Sequence, residues 1–347
     1  MPERSNGPDS KSGEPAKTGS VGSNPTLSAR LLGLAAGLVL AGLVLALASP
    51  GQAQPLRLGV GTTTSQLILG QLTAQLLRGH GLEVEVSAGL APEALRYSLK
   101  EGQLDLYWEY TGLALVLYQR NPDRDLLRRP ERGYQAVKAK DEEEGLVWGA
   151  ASAVNDTYGL LMPRPLAERL KLKSISDLAV YLAPVADQIS GQEAGKPPAS
   201  SAFKLAASPE FIARPDGYKA FAALYGFKLD PDHLLSLAEA DLFAALAAGT
   251  TSAAIAPCLD SRLIVLDLIV LEEDKPFFPA YLAACLWRDE AAKARPEAFG
   301  LVNKLAACLD NQALVRLSYA VEVNQENPAE LAWAWLKEKN LVQAAKP

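Results

Sequence analysis

Hydrophobic Leu56, Leu58 and Val60 alternate with other positions, which predicts a first strand ending near Gly61. Thr62, Thr63, Thr64 and Ser65 then offer cap-type hydroxyls before Leu67, Ile68, Leu72, Leu76 and Leu77, whose spacing is that of one helix face. Gly79 and Gly81 close that helix. Leu82, Val84 and Val86 alternate with Glu83 and Glu85 as a second strand, Pro92 opens a helix running to Leu99, and residues 104–107 predict a third strand. Strand, helix, strand, helix, strand implies an α/β fold with a parallel sheet, and open sheets of that kind bind ligands beyond the carboxyl ends of their strands. The Thr-rich loop lies at one such end, with free helix amides suited to anionic or hydroxyl groups.

At the next such end, residues 102–115 run a short apolar strand straight into Asp105, Tyr107, Trp108, Glu109 and Tyr110. Rings and carboxylates together suit a binding cleft, and Tyr107, Trp108 and Tyr110 fall where the strand is expected to become a loop. The alternative is an aromatic loop packed on its own domain, since large rings are usually core.

Residues 121–144 are charged, include Arg128 and Arg129, and read as solvated helix faces. Residues 146–148 resume strand character, and Ser176 with Asp177 caps a helix. Residues 191–201 form a polar loop. Ser208 is an N-cap followed by Pro209 at the first helical position. Leu242, Phe243, Ala245 and Leu246 make an apolar helix face closed by Gly249, and residues 252–257 a short strand. Helices follow from Pro296, Asp310 and Pro328, the last with Leu331, Trp335 and Leu336 as its core stripe.

The chain has 347 residues, 49% of them hydrophobic, which is ample for globular cores. Its 34 Lys and Arg against 40 Asp and Glu leave no basic footprint for nucleic acid. His80 and His233 lie far apart without ligand or triad spacing, and Gly59 and Gly61 lack the third glycine of a dinucleotide loop. Residues 191–196 are one short of a phosphate loop. No cofactor and no metal are therefore expected. Asp105 and Glu109 are the single hint of acid and base work, so a secreted hydrolase or lyase is the enzyme alternative. Cys258, Cys285 and Cys308 show no metal or redox spacing, leaving either one disulfide with a free thiol or three buried thiols.

The first thirty residues are polar and read as a disordered leader. Residues 31–48 carry no charge and are followed by small residues, as in a secretory signal peptide, the competing reading being an uncleaved membrane anchor. Either way the remainder is exported, and with no lipid-attachment cysteine the expected location is the periplasm.

Asp105-Leu106-Tyr107-Trp108-Glu109-Tyr110-Thr111-Gly112-Leu113-Ala114-Leu115 resembles the Asp-x-Tyr-x-Glu-Tyr-Thr-Gly-Thr-Ala-Leu signature of substrate-binding proteins of ABC importers for glycine betaine, choline, carnitine and related osmoprotectants. Three further segments resemble that family: Asn155-Asp156-Thr157-Tyr158, the block from Glu210-Phe211 through Arg214 to Asp216-Gly217, and residues 270–281 with Phe277-Phe278-Pro279-Ala280-Tyr281. At 257–262 the family's Tyr-x-Thr-Asp-Gly-Arg keeps Asp260 and Arg262 but has Pro257 for the Tyr. Leu113 stands for a Thr, and residues 61–64 lack a Lys found in some members.

The resemblance implies a type II periplasmic binding protein fold, with two α/β lobes, two crossings and a ligand cleft between them. Residues 1–53 would be leader and signal, residues 55–154 and 259–347 the first lobe, and residues 155–258 the second. Tyr110, Tyr158, Asp156 and Arg214 are the foremost ligand-binding candidates, with Thr63, Thr64, Asp105, Tyr107, Trp108 and Glu210 around them. Glu210 and Arg214 stand four apart on one helix, so the bland alternative is that they pair with each other. The implied partners are a small solute and separate ABC permease and ATPase chains, with membrane contact only through the permease or an uncleaved N-terminal segment. Aromatic faces and diffuse negative charge suit a quaternary ammonium, which cannot donate hydrogen bonds. Another amine, a polyol or a sugar-like solute is the alternative ligand, and a solute sensor the alternative role.

Overall fold

A computed structural model describes residues 54–119, 123–183 and 202–343. The leader with its apolar run, and the loop read at 191–201, lie outside the described residues. No helix among the described residues is long and apolar enough to cross a membrane.

The strands in chain order are β1 (Leu56–Gly59), β2 (Val84–Ser87), β3 (Leu106–Tyr110), β4 (Leu146–Asn155), β5 (Tyr158–Pro163), β6 (Leu205–Ala207), β7 (Leu234–Ser236), β8 (Ala253–Pro257), β9 (Leu268–Val270) and β10 (Leu282–Arg288). They build two five-stranded sheets, in the orders β2-β1-β3-β10-β4 and β7-β6-β8-β5-β9. In the first, β1 runs parallel to β2 and β3 as the alternation of elements implies, and β10 is inserted antiparallel between β3 and β4. The second repeats the plan, with β6 parallel to β7 and β8, and β5 antiparallel to β8 and β9.

Thr63 caps the first helix, Thr64–Gly79, by accepting the amide of Gln66. Its Ile68, Leu69, Leu72, Leu76 and Leu77 are buried against the first sheet, each worth about 1.5 to 3 kcal/mol relative to exposure. The helix Ile175–Leu182 is capped by Ser174, not Ser176, in a reciprocal pair with Asp177. Ser176 lies inside the first turn.

β3 begins and ends later than its pattern suggested, so Tyr107, Trp108 and Tyr110 lie within the strand rather than in a loop. The reason is its central place between β1 and β10. Leu106, Trp108 and Tyr110 pack on the side of the first helix, while Tyr107 packs on the other with Leu95, Leu99 and Trp148. A strand covered on both faces has no polar side and so no alternation to read.

The chain leaves the first sheet at Asn155 and enters the second at Tyr158. Its return was expected between residues 258 and 259, but β9 is hydrogen-bonded to β5 in the second sheet, and the first sheet resumes only with β10 at Leu282. The two crossings run side by side. The Asp156 amide donates to the Tyr281 carbonyl at 3.1 Å, the Tyr281 amide to the Asn155 side-chain oxygen at 2.7 Å, and the Thr157 hydroxyl to the Pro279 carbonyl at 2.5 Å. Asn311 clamps Asn155 from behind, accepting its amide at 2.7 Å and donating to its carbonyl at 3.1 Å. The three cysteines are free thiols.

Candidate ligand cleft

Two cavities meet at the crossings, an outer one of about 550 Å³ and an inner one of about 290 Å³, and Asp156 and Tyr281 line both. The outer volume is in the range usual for small-molecule sites. Asp156 remains exposed, yet enough protein surrounds it that burial raises its carboxyl above the ordinary range. That carboxylate has no hydrogen-bond or ion-pair partner among the described residues. Tyr281 joins it because a glycine, Gly112, faces the second crossing: a Cβ there would lie 2.7 Å from both the Ala280 carbonyl and the Tyr281 ring.

Tyr158 opens β5 on the outer cavity, 41% exposed, and donates a 2.7 Å hydrogen bond to Glu239, the first residue of the helix Glu239–Ala247. Burial, then that carboxylate, holds its phenol above the ordinary value. Arg214 and Glu210 come from the short helix Pro209–Ala213 and its end, started by the Ser208 cap as its sequence suggested. Arg214 is committed: it donates two hydrogen bonds to Asp216, at 3.1 and 2.9 Å, and lies 4.0 Å from Glu210. Asp216 also faces Arg124 at 3.4 Å, and its carboxyl falls to about 2, chiefly through the Arg214 bonds. The turn that allows this needs Gly217, where a Cβ would overlap the Phe211 carbonyl.

The inner cavity is walled by the first sheet and helix. Thr63 and Tyr107, Trp108 and Tyr110 line it, together with Gln66 and Leu113. Trp108 is anchored by donating its indole N–H to Thr73 at 2.8 Å, and Gln66 gives its amide to the Trp108 carbonyl at 3.1 Å. The Tyr110 hydroxyl is buried with no hydrogen-bond partner of good geometry, and burial raises it far above its ordinary value. Glu109, also on this wall, accepts from the Tyr107 hydroxyl and the Tyr110 amide, both at 2.7 Å. Burial pushes its carboxyl up to about 7.

Two expected site residues lie elsewhere. Thr64 sits inside the first helix and lines neither cavity. Asp105 precedes β3 at the end away from the cleft, where it accepts hydrogen bonds from the Arg57 guanidinium at 2.6 and 3.1 Å and from Arg288 at 3.0 Å. It is a structural ion pair. The Arg57 and Arg288 hydrogen bonds outweigh its burial and hold its carboxyl below the ordinary range.

Sequence reasoning missed several of the walls. Tyr281 could have been found, because it stands in a quoted motif segment. Phe211, Phe277 and Phe278 stand in quoted segments too, and in the fold they line the outer cavity at mutual ring distances of 5.2 to 6.3 Å, Phe211 stacked on Phe278 and both meeting Phe277 edge to face. Glu239, Arg124 and Arg128 carry no local signal, and Arg128 had been read as solvated face. Among the described residues no His, Cys, Asp and Glu group is arranged to hold a metal ion.

The family described as the substrate binding domain of ABC-type glycine betaine transport systems, OpuAC, matches residues 54–338. A glycine-betaine-binding protein of Pseudomonas aeruginosa is 34% identical over 307 residues, covering 88% of this chain and 93% of that one. The glycine betaine-binding protein YehZ of Escherichia coli is 32% identical over 295 residues, covering 83% and 91%. The solved structure of apo YehZ superposes with a TM-score of 0.73 at 31% identity, over 84% of this chain and all of the other. The paired mixed sheets are the type II periplasmic binding protein fold, and the chain belongs to the OpuAC family of substrate binding domains of ABC-type glycine betaine transport systems.

Proposed function

We propose that this chain is the extracytoplasmic receptor of an ABC importer and that it delivers a quaternary-ammonium or zwitterionic osmoprotectant of the glycine betaine or choline type. The observation that carries the reading is Asp156, an unpaired carboxylate set at the meeting of two cavities with Tyr110, Tyr158 and Tyr281 on their walls. Rings and an unspent negative charge attract a cation that has no N–H to give. The names of the relatives agree with it.

In this reading the described residues of 55–155 and 281–343 make one lobe, those of 156–280 the other, and the paired crossings are the hinge. Tyr110, Tyr158, Asp156 and Tyr281 hold the cationic head. Glu210 and Thr63 shape the walls. The chain works as a receptor rather than an enzyme, since Asp105 and Glu109, the carboxylates suggestive of acid and base chemistry, are spent on Arg57 and Arg288 and on Tyr107 and Tyr110. Permease and ATPase are its partners, and the periplasm its location.

A thermal-shift panel of choline, betaines, amines, amino acids, polyols and sugars tests the reading. Quaternary amines should raise the melting temperature in proportion to occupancy. Stabilisation by a polyol or sugar, with every quaternary amine silent, would leave the fold and remove the ligand class.

A further inference from the structure

β1 pairs with β3 only as far as Tyr107, so the last polar groups on that side of β3 meet side chains instead of a ladder. Gln66 takes the Trp108 carbonyl, Glu109 takes the Tyr110 amide, and the space beyond the end of β1 is the inner cavity. Glu109 is 2% exposed on its wall and also accepts from the Tyr107 hydroxyl at 2.7 Å. Those bonds occupy its oxygens but bring it no positive charge. Arg96, on the helix Pro92–Lys100, favours its ionised form from a distance, yet the guanidinium is committed to Asp141 of the helix Pro130–Glu142 by hydrogen bonds of 2.9 and 2.5 Å, and Asp141 opposes that form. The other titratable groups around it are Tyr110, Tyr118 with its ring under Arg96 at 4.8 Å, the exposed Glu93, and Asp156 and Tyr281 at the crossings. None of these is a cation. A buried carboxyl without a counter-ion holds its proton, here up to about 7.

We propose that the cationic head of the solute is the counter-ion that Glu109 lacks, and that its arrival releases the Glu109 proton, so that binding tightens as the medium becomes less acid. This deepens the proposed function and rests on it. The balance is one proton: the carboxyl O–H breaks, the carboxylate stays between Tyr107 and Tyr110, and the proton passes to the buffer. A cation within ~4–6 Å of a carboxyl favours its ionised form. A quaternary ammonium has no proton of its own to give or take, so the exchange belongs to the protein. Asp156 draws the cation to the meeting of the two cavities, and Glu109 adds its charge from the inner wall only once the cation is there.

Titration calorimetry of glycine betaine in buffers of differing ionisation enthalpy counts that proton, because glycine betaine itself exchanges none near neutrality. At about pH 6 close to one proton should be released per solute bound, and affinity should rise about tenfold from there to about pH 8 and then level, as linkage to a single group requires. His80 and His233, which also titrate near this range, line neither cavity. Glu109→Gln should bind with no buffer-dependent heat and with affinity flat across the range. Tyr107→Phe removes a hydroxyl that favours the ionised carboxylate and should carry the rise in affinity to higher pH, which reads the same coupling if Glu109→Gln does not fold. Asp156→Asn should weaken binding and keep the proton release. Binding without proton release, or a release that survives Glu109→Gln, would overturn the coupling and leave the receptor reading standing. Failure of glycine betaine to bind the unaltered protein at any pH would overturn the receptor reading itself, and this inference with it.

Discussion

Tyr158 and Glu239, eighty-one positions apart, are joined by one 2.7 Å hydrogen bond that fixes the Tyr158 ring at the mouth of the outer cavity. A ring held in place loses less freedom when a cation settles on it. Tyr158→Ala should weaken a quaternary-ammonium solute about thirtyfold, the value of a ring over a desolvated cation. Glu239→Ala should weaken it about fivefold, by freeing the ring. Tyr134→Ala is the contrast, because Tyr134 donates to the Gly149 carbonyl at 2.5 Å and packs edge-on to Trp148 away from the cleft. It should lower the melting temperature and leave affinity where it was, and calorimetry with thermal unfolding on the three variants separates the effects.

Asp105 supplies the opposite test. Its buried carboxylate joins β3 to Arg57 and Arg288, so Asp105→Ala leaves the Arg57 guanidinium without its anion and Arg288 with Glu290 alone. Both arginines reach water, which screens part of the loss, and about 2 kcal/mol of stability is expected to go. Denaturant unfolding should show that loss while solute affinity is unchanged. A large fall in affinity with full stability would return Asp105 to the site.

These two residues also mark where a sequence can be read and where it cannot. The strands from Leu56 and Val84 and the helices capped by Thr63, Ser208 and Asp310 were legible because each signal is local: a two-residue or 3.6-residue period beside a side-chain acceptor. β3 was misplaced because burial on both faces erases its period. The return crossing was misplaced because β9 is only three residues long, and its membership in the second sheet depends on pairing with β5 a hundred positions earlier. Asp105 was read as a cleft residue because its partners stand 48 and 183 positions away. Asp156, Tyr158 and Tyr110 were found through motif segments, whereas Arg128 and Glu239 enter the cleft only through tertiary packing.

Glu109 gives the protein a pH signature. Its carboxyl stays protonated up to about 7 in the folded chain, against an ordinary 4.5, because burial opposes its charge more than Tyr107, the Tyr110 amide and Arg96 favour it. The folded state thus binds more protons than the unfolded one between those values, and stability contributed at low pH is lost as pH rises through the window. The shift is worth on the order of 3 kcal/mol. Glu109→Gln mimics the protonated form, so the stability difference between the variant and the unaltered protein should tilt toward the variant from pH 5 to pH 7.5. A difference independent of pH would show that Glu109 ionises normally.

The crossings should act as a hinge. Asn155 receives the Tyr281 amide and is clamped by Asn311, so bending is expected in the few residues between Asn155 and Tyr158. Small-angle scattering should give a smaller radius of gyration at saturating glycine betaine than without it. An unchanged radius would argue for a site complete on one lobe.

Asp156 and the tyrosine rings at the crossings are proposed to hold a quaternary ammonium group. A crystal structure of the protein grown with saturating glycine betaine tests it most directly. The trimethylammonium should lie beside the Asp156 carboxylate and within about 6 Å of the Tyr158 and Tyr281 ring centres. Betaine bound away from these residues, or a cleft without betaine at saturation, would contradict it.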